Sequence, residues 1–448
     1  MTYVFFALVA IAFVVAGVRE IFWEVPPGVN PADVLSPMAA LAEHMISAAD
    51  SSVTLAIGLV GVMALFLGLM KVAEEGGLLV IIARLVRPLM QRLFPEVPAE
   101  HPAMGAMILN MSANVLGLGN AATPFGIRAM EELNKLNPHK GTASNAMVLF
   151  LAINTSSVTL LPTGVIALRA AAGSTDPAGI VPTTLFATLC STVVAIFTAK
   201  FLQRFWSTPA EAAGLPDAES TLTVHSEDAP PDEQIGDAAS ELDTTGAAAA
   251  YPVWISFLVL AGILALIPIT VIWGKEIAPW IIPGLMVGLL GFGVAKRVNI
   301  YEAFVEGAKD GFTVALRIIP YLVAILVAVA MFRASGAMDY LITPLSAITG
   351  PLGLPAEALP MALLRPLSGS GAYGILASLI NDGAIGPDSY TGYLISTIQG
   401  STETTFYVLA VYFGAVGIRR IRHALAAGIT ADIAGIIGAV AAVSLLLG

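Results

Sequence analysis

The chain has 448 residues, of which 57% are hydrophobic and only 12% charged, about half the charged share of an ordinary soluble domain. Several apolar runs reach the roughly 20 residues that a helix needs to cross a bilayer, which excludes a soluble globular protein; their unbroken length excludes a β-barrel of short alternating strands. The net charge of −11 comes largely from one acidic segment and carries no implication of nucleic-acid binding.

In chain order, the first apolar run is "MTYVFFALVAIAFVVAGV", residues 1–18. No basic residue precedes it and no small-x-small site follows, so a retained helix is expected in place of a cleaved signal. Residues 53–70 form a second run, followed by the basic amphipathic stretch "ARLVRPLMQRLF" (83–94). Then "NMSANVLGLGNAATPFG" (110–126) mixes Asn110, Ser112, Asn114, Asn120 and Thr123 with the helix breakers Gly117, Gly119 and Pro124. No single face of an intact helix holds all these polar groups, and backbone freed at a break needs partners that lipid cannot supply. A broken helix facing protein or cavity water is predicted. "INTSSVT" (153–159), with Asn154, Thr155 and Ser157, reads the same way. Residues 183–203 are another candidate span, in which the single cysteine, Cys190, reads as a small core residue.

Residues 205–250 are acidic, rich in Pro and Ala, and nearly free of large apolar residues. Such a segment reads as a flexible linker between membrane regions 1–204 and 251–448. Beyond it, 252–273, 278–295 and 311–331 are predicted as three separate spans. "RPLSGSGAYG" (365–374) repeats the broken-helix signature, with Arg365, Ser368 and Ser370 beside Pro366, Gly369, Gly371 and Gly374. "NDGAIGPDSY" (381–390) reads mainly as a loop, with ion contact through Asp382 or Asp388 as the alternative. "QGSTETT" (399–405) carries Gln399, Ser401, Thr402 and Glu403, and 424–447 is the last span.

The halves resemble each other. Residues 51–79 can be laid on 311–339 with Gly76 over Gly336, 101–117 on 359–374 with Ser112 over Ser370, and 153–162 on 399–408 with Thr155 over Ser401. Lys200 and Arg204 place the linker in the cytoplasm by the positive-inside rule. An out-and-back pair, 252–273 and 278–295, then returns Lys296 and Arg297 to that side, which makes the repeats inverted. The expected fold is an all-α polytopic membrane protein with two inverted repeats of discontinuous helices, the build of secondary transporters.

Glu403 is the sharpest residue. A carboxylate at the centre of a membrane helix costs about 2.5–3.5 kcal/mol on insertion scales, so it pairs or lines a cavity. A structural ion pair with Arg365 competes with contact to a ligand or coupling ion, and the Ser, Thr, Asn and Gly residues could instead serve as helix glue. The five histidines are scattered, without metal-ligand spacing. No metal and no cofactor are expected. There is no GxSxG elbow, P-loop or HExxH, so no catalytic residue and no enzyme is expected.

"NMSANVLGLGNAATPFGIRAMEELN" (110–134) resembles the hallmark of spore maturation protein A. "RPLSGSGAYGI" (365–375) with "GPDSYTGYLISTIQGSTETTFYVLAVYFGAVGIRRIRHAL" (386–425) resembles that of spore maturation protein B. The chain is similar to a fusion of the two. The resemblance implies the nucleoside recognition or Gate domain, also found in concentrative nucleoside transporters and in the membrane domain of ferrous-iron transporters. It implies a bacterial inner-membrane protein of transporter-like build; the family's role in spore core dehydration and maturation leaves the solute open.

The reading is a permease for a small polar or anionic solute, nucleoside-like or carboxylate. Its binding residues would be Asn110, Ser112, Asn114, Asn120, Asn154, Thr155, Ser157, Arg365, Ser368, Ser370, Gln399, Ser401, Thr402 and Glu403, with sodium or a proton as coupling ion. The rivals are a non-transporting scaffold or sensor and a passive channel. The partners are the solute and the lipid bilayer, and a homodimer is entertained without a sequence signal for it.

Overall fold

The structure, a computed structural model, describes residues 2–25, 34–117, 119–206, 251–383 and 385–447. The predicted linker 205–250 lies outside the described residues from residue 207 onward. Sixteen α-helices and no strand are found among the described residues. The first eight are α1 (Thr2–Ile21), α2 (Pro37–Glu75), α3 (Leu78–Leu93), α4 (Pro102–Val115), α5 (Gly119–Leu136), α6 (Asn145–Ser156), α7 (Thr163–Ala171) and α8 (Ile180–Leu202). After the linker come α9 (Val253–Ala295), α10 (Ile300–Ala334), α11 (Ala337–Thr349), α12 (Leu359–Leu364), α13 (Gly369–Ile380), α14 (Tyr390–Ser401), α15 (Thr405–Ala415) and α16 (Ala424–Leu447).

From α2 and α10 onward, the two series match element by element. Gly77 and Gly336 take the left-handed conformation, φ 77° and 79°, that lets each chain turn sharply out of its long helix. Each then enters a helix with an internal proline, Pro88 in α3 and Pro344 in α11. The 12-residue helices α6 and α14 both begin on a serine cap. Ser144 accepts from the Met147 amide at 3.2 Å and Ser389 from the Gly392 amide at 2.9 Å, satisfying N–H groups that a helix start leaves over.

Three readings need correction. The αL glycines put Gly77, not Gly76, over Gly336. The helix breaks put Gly119 over Gly369, so Ser370 matches Asn120 and not Ser112, because α4 has 14 residues and α12 only 6. The ends of α6 and α14 put Ser156, not Thr155, over Ser401. The proposed out-and-back pair is also replaced: residues 253–295 form one helix of 43 residues, which runs on through Gly274 and Pro279 at the expected connection. At 1.5 Å per residue it runs about 65 Å, longer than a bilayer core.

Among the described residues α2, α8 and α16 are long and apolar enough to cross a membrane. A fourth crossing is available if the pair Pro344–Leu352 and Ala356–Leu364, bent by 102°, counts as one. Equivalent long helices pack antiparallel. A Cβ on Gly307 would meet Leu67 and Lys71, whereas one on Gly311 would meet Ala64, so α10 runs down as α2 runs up. Likewise Ser191 donates to the Ala431 carbonyl at 2.8 Å while Gly438 lies against Ala187, so α8 and α16 are antiparallel.

The buried side chains do not sort by repeat. The first core joins α4, α5 and α6 to α15 of the second repeat, with Met104, Met107, Phe150 and Met130 against Val408, Tyr412 and Phe413. The second joins α13 and α14 to α7 of the first repeat, with Leu376, Leu394 and Ile395 against Val165, Ile166 and Leu168. The last pieces are exchanged: α7 and α15 each leave their own half at the break that precedes them.

Two loop contacts lock this exchange. At one end the amides of Arg419 and Arg420 donate to the Gly141 carbonyl, both at 3.0 Å. At the other, fully buried Arg169 donates to Asp388 at 3.0 Å, to Ser174 at 3.2 Å and to the Asp176 carbonyl at 3.1 Å, with its guanidinium 4.2 Å from the Tyr393 ring centre. Asp388 also accepts from Ser174 and from the Thr175 amide and hydroxyl at 2.5–2.8 Å. Partial burial alone would push the Asp388 carboxyl up, but these donors and Arg169 outweigh it and hold it below the usual carboxylate value. Its contribution is therefore present at neutral pH and is lost only as acid protonates it through that lowered value.

Two outcomes follow from the exchanged cores. Separate expression of residues 1–204 and 251–448 is expected to give unstable or aggregated halves, while co-expression gives a complex that co-purifies; a half that is monodisperse and cooperatively folded alone would contradict the exchange. Arg169→Ala strips the buried partner from Asp388 and leaves the Pro387 carbonyl without its donor, for an expected loss of about 3 kcal/mol. Denaturation in detergent should show that loss, and limited proteolysis should show faster cleavage at 172–179 and 381–389.

Candidate functional site

The half-length helices α6 and α14 come together at their C-terminal ends. Helical hydrogen bonding stops at Ser156 and Ser401, and the chain resumes at Thr163 and Thr405. The unwound stretches 157–162 and 402–404 are shorter than the sequence pattern of 153–159 and 399–405 indicates, because the first polar residues of each remain helical. A helix end leaves carbonyls unpaired, and here the other repeat supplies a donor: the Glu403 amide donates to the Thr155 carbonyl at 2.8 Å. The breaks also tie to their own hairpins in matching fashion. Leu160 N donates to the Val115 carbonyl at 3.0 Å and Phe406 N to the Pro366 carbonyl at 3.1 Å.

Arg365 closes the end of α14. Buried at the α12–α13 break, it donates through Nε to the Gln399 carbonyl at 3.2 Å, through Nη1 to the Thr404 hydroxyl at 2.9 Å and through Nη2 to the Thr402 carbonyl. A cation there also meets the negative end of the helix dipole. Its contact to Glu403 is looser, 3.7 Å, and the Glu403 side chain is 49% exposed. Glu403 alone is exposed between Gln399 and Thr405. The two charges expected to pair do lie side by side, but Arg365 is committed mostly to backbone.

The first-repeat residues form a second network. Asn110 donates to the Ala122 carbonyl at 2.7 Å and to the Tyr412 hydroxyl at 3.1 Å. Tyr412 donates to Asn154 Oδ1 at 3.3 Å, and Asn114 donates to the same oxygen at 2.9 Å. Tyr412 reaches this place from α15 only because Gly126 has no side chain; a Cβ there would strike the phenol. Asn114, Asn154 and Ser157 then line a mostly apolar cavity of about 380 Å³, walled by Met111, Val158 and Leu160 among others.

The fourteen predicted residues thus divide. Asn110, Asn114, Asn154 and Ser157 share the network and the cavity. Arg365, Gln399, Thr402 and Glu403 gather at the end of α14. Ser112, Thr155 and Ser401 donate to carbonyls of their own helices at 2.7–3.1 Å, while Ser368 caps α13 through the Gly371 amide at 3.0 Å and lies 3.4 Å from Ser370. The side chain of Asn120 lies outside the described residues. Tyr412, Thr404, Arg169 and Asp432 were not anticipated. Tyr412 sits in an apolar run with nothing to distinguish it, but Asp432 is the lone charge in the 424–447 span, a signal that an intramembrane acid always carries. No group of three or more metal-ligating side chains occurs among the described residues.

The model of the Gate family, described as nucleoside recognition, matches residues 56–172 and 315–419, the two repeats described above. Spore maturation protein B of Bacillus subtilis (strain 168) is 48% identical over 177 residues, 39% of this chain and 98% of that protein. Spore maturation protein A of the same strain is 48% identical over 159 residues, 36% of this chain and 81% of that protein. Inner membrane protein YjiG of Escherichia coli (strain K12) is 32% identical over 90 residues, 20% of this chain and 59% of that protein. No solved structure matches the chain. Apolar helices, duplicated Gate segments and relatives that each cover one part agree: this is an all-α membrane protein of the Gate family, joining regions similar to spore maturation proteins A and B in one polypeptide.

Proposed function

We propose that the chain is a non-enzymatic secondary transporter or permease of a bacterial inner membrane, its repeats inverted across the bilayer and its linker cytoplasmic. The observation that carries this reading is the convergence of helix breaks from both repeats on the Glu403–Thr155 contact, beside the cavity at Asn114, Asn154 and Ser157. Discontinuous helices meeting at mid-depth are how transporters expose backbone groups to a solute. The antiparallel packing of α2 on α10 and of α8 on α16 supports inversion.

The cavity's 380 Å³ falls at the low end of the roughly 300–1,000 Å³ typical of small-ligand sites. Apolar walls with a few amide and hydroxyl groups suit a flat polar heterocycle, a nucleobase or nucleoside, better than a free carboxylate. Arg365 is occupied with backbone and does not face that cavity. The moving bodies are the two mixed cores rather than the two repeats. The chain passes between them at 157–162 and 402–404, and those unwound stretches serve as the hinges for alternating access. One observation favours a non-transporting scaffold: the hydroxyls of Ser112, Thr155 and Ser401 bond their own helices, as helix glue does.

Purified protein screened by thermal shift against nucleosides, nucleobases, amino acids, dicarboxylates and pyridine carboxylates should show a saturable rise for one class. Asn114→Leu and Ser157→Val should weaken that apparent affinity about tenfold or more while leaving the unliganded melting point nearly unchanged. A flat response across the panel, or a response indifferent to both variants, would move the weight to the scaffold. The two charges should separate as well. Arg365→Ala leaves buried carbonyls unpaired and is expected to lose about 3 kcal/mol of unliganded stability, whereas Glu403→Gln, half-exposed and loosely paired, should change it by less than about 0.5 kcal/mol. Equal losses for the two would mean that the ion pair, not the backbone, is what Arg365 serves.

A further inference from the structure

Asp432 is 3% exposed, nine residues into the apolar helix α16. Its Oδ2 accepts from the Thr405 hydroxyl at 2.7 Å, and its Oδ1 has no partner. It belongs to none of the ion pairs among the described residues. A buried carboxylate with one hydrogen bond is costly unless its charge is neutralised.

Its surroundings are built from both helix breaks. On the same flank of α16, a Cβ on Gly428 would meet Thr405 at 2.7 Å and Thr155 Oγ1 at 3.8 Å, and one on Gly435 would meet Thr402 at 2.6 Å and Ser191. The residues that α16 holds close are therefore the last turn of α6, the unwound stretch after α14, the first turn of α15 and the middle of α8. The C-terminal ends of α6 and α14, with the negative ends of their dipoles, lie beside this region. Arg365 answers the end of α14. The other ionisable groups on the elements packed against α16 are Cys190 and Lys200 on α8, Tyr390 and Tyr393 on α14, and Tyr407 and Tyr412 on α15, while α6 has none. Arg365 and Glu403 lie at the breaks themselves.

We propose that Asp432 binds an exchangeable monovalent cation, a proton or a sodium ion, at the point where both helix breaks rest on α16. The carboxylate supplies the charge, and the hydroxyl oxygens of Thr405 and Thr155 supply neutral oxygen ligands of the kind a hard cation takes. Occupancy neutralises the acid and draws the two breaks onto α16. In the transporter reading, on which this consequence but not the binding itself rests, that makes Asp432 the coupling group in place of Glu403.

The test needs no solute, so it stands apart from the search for one. The melting temperature of the purified full chain is measured in sodium and in choline chloride at constant ionic strength, in acid and alkaline buffers, for wild type, Asp432→Asn and Glu403→Gln. A sodium site gives a saturable, sodium-specific rise of several degrees that Asp432→Asn abolishes and Glu403→Gln retains. A proton site gives a pH-dependent step that Asp432→Asn removes and sodium leaves unchanged. Folded Asp432→Asn protein that keeps every sodium and pH response of the wild type overturns the proposal. Should that variant fail to fold, infrared spectra of the wild type decide. A buried carboxyl band that changes with pH or with sodium supports the site, and the absence of any such change overturns it, whatever the solute screen returns.

Discussion

The structure depends on one constraint: backbone released by a broken helix inside a membrane has no water to turn to. Each repeat breaks its half-length helix, α6 or α14, where both neighbours and lipid would leave carbonyls bare. The solution is mutual. The Glu403 amide of one break satisfies the Thr155 carbonyl of the other, Arg365 closes the carbonyls of Gln399 and Thr402, and each break ties back to its own hairpin, Leu160 to Val115 and Phe406 in the first turn of α15 to Pro366. Neither break is sound without the other, so the two repeats are obliged to meet.

That obligation explains the exchanged cores. A chain that unwinds at Ser157 leaves one packed body and enters the second, where Val165, Ile166 and Leu168 pack against α13 and α14. The opposite passage carries Tyr412 into the Asn110–Asn154 network. The Arg169–Asp388 clamp at one end and the Gly141–Arg420 backbone contact at the other secure the crossing. The same arrangement gives a physical account of why regions similar to two separate proteins sit in one chain: the halves bury their apolar surfaces on each other.

The polar side chains then fall into distinct kinds of work. Ser112, Thr155 and Ser401 hold their own helices, Arg365 holds the end of another, and Asn114, Asn154 and Ser157 face a cavity. Residue type alone did not sort them. A serine that back-bonds to its own helix and a serine that faces a solute look the same in sequence, since the choice depends on which face a neighbouring helix covers.

The membrane class, the duplicated order of elements and the locations of all four helix breaks were legible in the sequence, because apolar run length, Gly and Pro placement and clustered polar residues act locally on the backbone. The register between repeats was legible only to within a slip in each of the three matched segments. Low identity leaves the match to helix ends and turns, which only the backbone defines; between Ser112 and Ser370 the unequal lengths of α4 and α12 add to it. The single helix α9 runs through an expected turn, so local sequence did not decide that element. What only the tertiary structure decided is which partner each polar group found. Arg365 serves carbonyls rather than standing free, Tyr412 enters the opposite half through the gap left by Gly126, and Asp432 faces both breaks from a helix that otherwise reads as a plain span. Those pairings join residues up to about 300 positions apart, and no local pattern encodes a distance that is set by how whole helices pack.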